Sequence, residues 1–162
     1  RAGLRVAMVM YEENARKVNE TLRAINPAAM QDIIPLGRMD SMMAVRDKLD
    51  QGYLVGILAD RSLEEGDGQE QRFLGYQARF PVGPWRLALM LRRPVYFMAG
   101  LYLGGNRYQV RFERLADFSD VPRERRQGEL DAVIRRYAAT LERLVRESPY
   151  NWFNFYDFWQ FK

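Results

Sequence analysis

The chain has no cysteine and no histidine. The first absence removes disulfides, thiolate nucleophiles and cysteine-held metals, and a disulfide-free chain suits a reducing compartment. The second removes the Ser-His-Asp triad, the H-E-x-x-H zinc site and the commonest general base at neutral pH. Chemistry done by this chain alone falls to Asp, Glu, Lys, Arg, Tyr, Ser or Thr. No apolar run reaches the roughly 20 residues that a membrane-spanning helix needs. No signal peptide is visible. Neither G-x-G-x-x-G nor G-x-x-x-x-G-K-[ST] occurs, so a nucleotide-binding reading lacks its phosphate loop.

What is present suits one domain of ordinary size. Hydrophobic residues make up 48% of the 162, enough for a core, and the charged fraction of 28% argues against disorder. The net charge of +4 and pI near 9.5 permit an anionic partner. They do not choose among phospholipid head groups, a phosphorylated substrate and nucleic acid.

Residues 4–11 read as a strand, mostly apolar and bounded by turn-formers. A strand so close to Arg1 suggests a piece of a longer protein. Ala15, Val18, Leu22 and Ile25 then mark one face of a helix that stops near Asn26-Pro27. Residues 33–36 are a short strand whose Pro35 favours an edge. Asp40 or Ser41 caps a helix to about Leu49, with Gly52 just past its end. Residues 53–59 are apolar throughout, as for a strand buried on both faces of a parallel sheet. Residues 62–71 read as a loop. Gly83-Pro84 opens a helix to about Leu91. Residues 95–103 and 108–113 pair as a hairpin around Gly104-Gly-Asn106. A long helix at 123–147 carries the stripe Leu130, Val133, Ile134, Tyr137, Leu141, Leu144 and Val145. The alternation predicts an α/β fold, a mainly parallel sheet flanked by helices, with a C-terminal hairpin and long helix. No linker divides residues 1–162, so a single domain is expected.

In an open parallel sheet, ligands gather beyond the carboxyl ends of the strands. Asp60-Arg61 stands there. Asp60 caps the next turn and Arg61 pairs with the acidic loop, or Arg61 binds an anion through its planar fork. The loop Glu64-Glu-Gly-Asp-Gly68 lacks EF-hand spacing and reads as solvated. Arg92, Arg93, Arg135, Arg136, Arg143 and Arg146 read as mostly solvated helical faces. Basic residues beside aromatics can bind single-stranded nucleic acid, but here the two are separated along the chain.

Three stretches, in order, resemble one family. They are Val55-Gly-Ile-Leu-Ala-Asp-Arg61, then Phe73-Leu-Gly-Tyr-Gln-Ala-Arg-Phe-Pro-Val-Gly-Pro84 with Arg93-Pro-Val-Tyr96, and lastly the tail Trp152-Phe-Asn-Phe-Tyr-Asp-Phe-Trp159. Together they resemble the bacterial lipid A biosynthesis (late) acyltransferases of the lysophospholipid acyltransferase superfamily. The tail is most similar to relatives that acylate other carriers, such as those near aryl-polyene or ornithine-lipid clusters. The resemblance implies a glycerolipid acyltransferase-like α/β fold. It implies transfer of a fatty acyl group from acyl carrier protein or coenzyme A to a hydroxyl or amine on a lipid-like acceptor, with no cofactor, no metal and no nucleic acid partner. The expected place is the cytoplasmic face of the bacterial inner membrane, peripheral or anchored through a segment ahead of Arg1.

The family's catalytic signature is H-x-x-x-x-D/E, in which His deprotonates the acceptor and the acid orients it. Without a histidine the signature is absent here, so no catalytic residue is assigned and the chain alone is expected to be inactive. The signature normally precedes a strand and helix like residues 6–25, which makes this a C-terminal portion. The alternative is a non-catalytic α/β module that binds lipid or a partner protein. By resemblance, Asp60 and Arg61 face the acceptor site and Phe73 and Gly75 belong to the Phe-x-Gly element beside it. Ala78, Gly83 and Ala88 fit the small residues that follow.

The tail Pro149-Tyr-Asn-Trp-Phe-Asn-Phe-Tyr-Asp-Phe-Trp159 holds seven of the 21 aromatic side chains. It docks on the fold as a closing segment, or it also meets lipid. Trp152, Phe153, Phe155, Phe158 and Trp159 are the membrane-interface candidates.

Overall fold

The computed structural model describes residues 3–11, 20, 32–36, 40–60, 68–154 and 158–159. They fall into two compact units, Arg1–Leu58 and Ala59–Lys162. The architecture is α/β.

In the first unit, β1 (Val6–Tyr11), β2 (Asp32–Leu36) and β3 (Leu54–Ile57) form a parallel sheet in the order β2-β1-β3. The central strand is the apolar one. Ala7 and Val9 are buried, and Val9 lies between Ile34 and Ile57 in register. Pro35 sits on β2, at the sheet edge, where a missing N–H is tolerated. Helix α1 (Ser41–Asp50) packs on β2 and β3. Asp40 takes its N-cap position without a side-chain cap bond, and the Ser41 hydroxyl donates instead to the Pro35 carbonyl at 2.6 Å. The helix closes on Gly52 at φ +80, where the Tyr53 N–H reaches the Lys48 carbonyl at 3.0 Å. That left-handed ending is one glycine favours. Lys48 also pairs with Asp32 at 3.1 Å.

Two expectations change here. The strand expected at 53–59 spans only Leu54–Ile57, and it is not buried on both faces: Leu54 is 49% and Leu58 63% exposed. Among the described residues of this unit, α1 is the only full helix and it covers one face. The helix expected over 12–25 lies outside the described residues.

The described residues of the second unit form two antiparallel hairpins and two α-helices. The first hairpin joins β4 (Gln69–Phe73) to β5 (Tyr76–Phe80), and the second joins β6 (Pro94–Tyr102) to β7 (Tyr108–Asp117). The loop expected over 62–71 is corrected at its end, since residues 69–71 belong to β4. Its polar side chains hid it: β4 buries only Phe73 fully. Helix α2 (Gly83–Met90) starts with Pro84 in its first turn, as expected, and its Trp85 Nε1–H donates to the Pro81 carbonyl at 2.9 Å. It ends on Arg92 at φ 52, with the Arg93 N–H on the Ala88 carbonyl at 3.1 Å. So Arg92, expected on a helical face, holds the left-handed position past the helix end.

Helix α3 (Arg126–Glu147) follows a single 3-10 turn, Arg123–Arg125. Its predicted stripe is buried except for Leu141, which is half-buried against the core. In this unit Phe73, Phe80, Leu115, Phe118, Val133 and Ile134 are the largest fully enclosed side chains among the described residues. One flank of α3 is wired to β7. Arg143 reaches Glu113 at 2.5 Å, Arg111 reaches Glu147 at 2.5 Å, and the buried Thr140 hydroxyl donates to Glu113 at 3.1 Å. Arg135 and Arg136 are exposed, as expected of a solvated face, whereas Arg143 and Arg146 are exposed but ion-paired.

Ile134 has no exposed surface. Ile134→Ala removes buried methylenes and leaves a void, so we expect a loss of about 2–5 kcal/mol of unfolding free energy. Urea denaturation checks this, and a loss under about 0.5 kcal/mol, the range of a surface change, would place α3 outside the core.

Candidate functional site

Phe73-Leu74-Gly75-Tyr76 is the turn of the first hairpin, with Phe73 opposite Tyr76. Leu74 has φ 51 and Gly75 φ +94. Two positive φ values in a two-residue loop are the type I′ pattern, which matches the twist of the flanking strands. Gly75 is thus explained by its backbone, and a Cβ there would meet nothing within 4 Å. Leu74 has no such freedom and holds a conformation that costs a non-glycine residue about 1–2 kcal/mol.

A side chain from α3 holds the turn. The Leu74 N–H points away from the ladder and donates to Glu142 Oε2 at 3.1 Å. Glu142 is itself gripped by Arg146, whose Nε and Nη2 lie 2.9 and 2.7 Å from Oε1. The Arg146 contact and the Leu74 N–H hold the Glu142 carboxyl below its ordinary pKa, with Arg72 adding to the field.

The tail closes over the other side. Phe73 is fully buried, and its ring meets Phe80 at 5.6 Å, Trp152 at 5.2 Å, Phe158 at 5.4 Å and Trp159 at 6.3 Å. Edge and offset contacts of this kind add about 0.5–1.5 kcal/mol per pair beyond area burial. The Trp159 indole N–H donates to the Phe73 carbonyl at 3.3 Å. Further back, Asn151 Oδ1 accepts from the Tyr102 N–H at 2.5 Å and its Nδ2 donates to the Tyr102 carbonyl at 3.4 Å.

The sequence candidates therefore divide. Phe73 and Gly75 share one turn, and Trp152, Phe158 and Trp159 are brought onto Phe73. Phe153 is 67% exposed, while Phe155 lies outside the described residues. Asp60 is half-buried, and Arg61 lies outside the described residues. Ala78 is enclosed in the core, Ala88 is half-buried against it, and Gly83 is exposed at the start of α2. Among the described residues no group of His, Cys, Asp or Glu is arranged to hold a metal. Sequence reasoning missed Glu142. Its signal was the acid-to-base spacing Glu142 to Arg146, one helical turn apart.

The family model for the bacterial lipid A biosynthesis acyltransferases matches residues 5–161. The chain belongs to that family. No curated protein matches it. For this lipid A biosynthesis acyltransferase relative, membership supports acyl transfer in general, with an acyl donor and a lipid acceptor. The family is membrane-associated. Among the described residues no helix is long and apolar enough to cross a membrane.

Removing Glu142 leaves the Leu74 N–H without its charged acceptor. We expect Glu142→Ala to cost about 1–3 kcal/mol in urea denaturation and Glu142→Gln less, because an amide oxygen still accepts. Since the folded carboxyl titrates below the unfolded value of about 4.3, its contribution is complete above that pH and is lost as pH falls through the folded pKa. Glu142→Gln should flatten the fall in stability below that pH. An unchanged acid limb would mean that the Arg146 and Leu74 contacts do not stabilise the charged form.

Proposed function

We infer that this chain is the C-terminal part of an acyltransferase that moves a fatty acyl group from acyl carrier protein or coenzyme A to a lipid-like hydroxyl or amine, at the cytoplasmic face of the inner membrane. The family match over residues 5–161 carries this reading. In the reaction, the acceptor oxygen or nitrogen attacks the thioester carbonyl carbon. Its proton passes to a base, the carbon–sulfur bond breaks, and the carrier thiol leaves. With no histidine in the chain, the base belongs to an H-x-x-x-x-D/E motif in residues ahead of Arg1.

The part described supplies position rather than proton transfer. Phe73 and Gly75 form the acceptor-side turn, and Glu142 and the docked tail hold it still. By the family's strand-end motif, Asp60 and Arg61 are assigned to acceptor binding, a guanidinium being suited to a phosphate or carboxylate. Orientation of this kind accounts for a large share of the barrier reduction in group transfer.

The absence of histidine also admits a second reading, a non-catalytic module that binds lipid or a partner protein. The two separate on one assay. We expect no transfer from acyl carrier protein or coenzyme A thioesters by the 162-residue chain, and transfer once the polypeptide is extended upstream through the motif. In that longer protein Arg61→Ala should lower kcat/KM about tenfold or more, the scale of a lost charged contact. An upstream sequence without H-x-x-x-x-D/E sinks the enzyme reading and leaves the binding module.

A further inference from the structure

The β6–β7 hairpin buries one face and leaves the other open. Phe97, Leu101 and Leu115 point into the core, and the Phe97 ring lies 5.6 Å from that of Tyr137 on α3. The opposite face carries Tyr96, Met98, Tyr102, Tyr108, Val110 and Phe112, each between 45% and 68% exposed. The register makes them one surface: Met98 lies across from Phe112, Tyr102 from Tyr108, and Gly100 from Val110. The Tyr102 and Tyr108 rings are 5.3 Å apart. An apolar surface this continuous marks a place of contact rather than scattered surface residues.

Charge identifies the partner. Between Glu70 and Glu113 the sequence has no acidic residue and seven arginines. Arg107, in the hairpin turn, is exposed and among the described residues makes no ion pair, its guanidinium donating to the Leu103 carbonyl at 3.5 Å. Arg92 is exposed at the opposite end of the hairpin, beside the start of β6. Arg114, across from Tyr96 on the open face, pairs with Asp117. A second copy would bring like charge against like. The open edge of β6 is closed at Tyr102 by Asn151, so at that end the hairpin offers its face rather than its backbone. A face rich in tyrosine and phenylalanine, with Arg107 and Arg92 at its two ends and its acid, Asp117, neutralised by Arg114, has the composition of a surface lying in the interfacial layer of an anionic bilayer.

We propose that the Tyr96–Met98–Tyr102–Tyr108–Val110–Phe112 face of the β6–β7 hairpin is the surface by which this chain seats on anionic phospholipid. The proposal rests on the reading that the protein works at a lipid surface, and it assigns that contact to the hairpin. In the tail, Trp152, Phe158 and Trp159 are turned toward Phe73.

The test is co-sedimentation of the 162-residue chain with vesicles of phosphatidylcholine alone and of phosphatidylcholine with phosphatidylglycerol. The variants are Tyr108→Ser with Phe112→Ser, Arg107→Gln, and Phe153→Ser. Circular dichroism melts confirm that each variant is folded. We expect binding to the anionic vesicles, a loss of about tenfold or more with the hairpin pair, and a smaller loss with Arg107→Gln that is absent on neutral vesicles. Phe153→Ser should leave binding within about twofold, which is under 0.5 kcal/mol. Loss with Phe153→Ser and none with the hairpin pair overturns the proposal in favour of the tail. No vesicle binding by the folded wild-type chain overturns the lipid-surface reading itself. A wild-type dimer in sedimentation velocity that Phe112→Ser dissociates overturns the proposal by making this face a self-contact.

Discussion

Phe73 is the last residue of β4, and its ring has no exposed surface. Burying it packs Phe80 of β5 with parts far along the chain, Trp152, Phe158 and Trp159 from the tail. Its neighbour Leu74 can hold an unfavourable backbone conformation because Glu142 takes up the N–H that the turn leaves outside the ladder. Hairpin, tail and long helix are thus fixed by one ring and the single Phe73–Leu74 peptide group, whose carbonyl accepts from Trp159 and whose N–H donates to Glu142. A turn held this way has little conformational entropy left to lose.

The sequence made most of the second unit legible, for physical reasons. The α3 stripe repeats at three and four residues, and that period has one reading in a long segment. The β6–β7 hairpin announces itself through Gly104-Gly105, both at positive φ, between two apolar runs. The β4 strand did not, because Gln69, Glu70, Gln71 and Arg72 carry no apolar alternation and the strand exists through its ladder to β5. The Asp40 cap was a sound local guess that lost to tertiary contact, since Ser41 finds the Pro35 carbonyl six residues back.

The site was legible only in part. The Phe-x-Gly element could be named from its residues, but the reason for its glycine could not. A φ of +94 belongs to the turn and is invisible until the strands on either side are paired. Glu142 was invisible as a partner of Leu74 because 68 residues separate them, and only its local pair with Arg146 could be read. The aromatic tail raised a choice between core and lipid. Trp152, Phe158 and Trp159 lie on the core side of that choice, and Phe153 faces solvent.

The packing of the tail also determines what light the protein emits. Of its three tryptophans, Trp152 and Trp159 stand against Phe73, while Trp85 lies 5.0 Å from the Tyr137 ring in the helical part of the core. Two of the three tryptophans therefore report on the tail–hairpin junction. A change in emission without a change in helical circular dichroism would signal the tail lifting from Phe73 while α3 stays in place, so the chain carries its own optical gauge of that one contact.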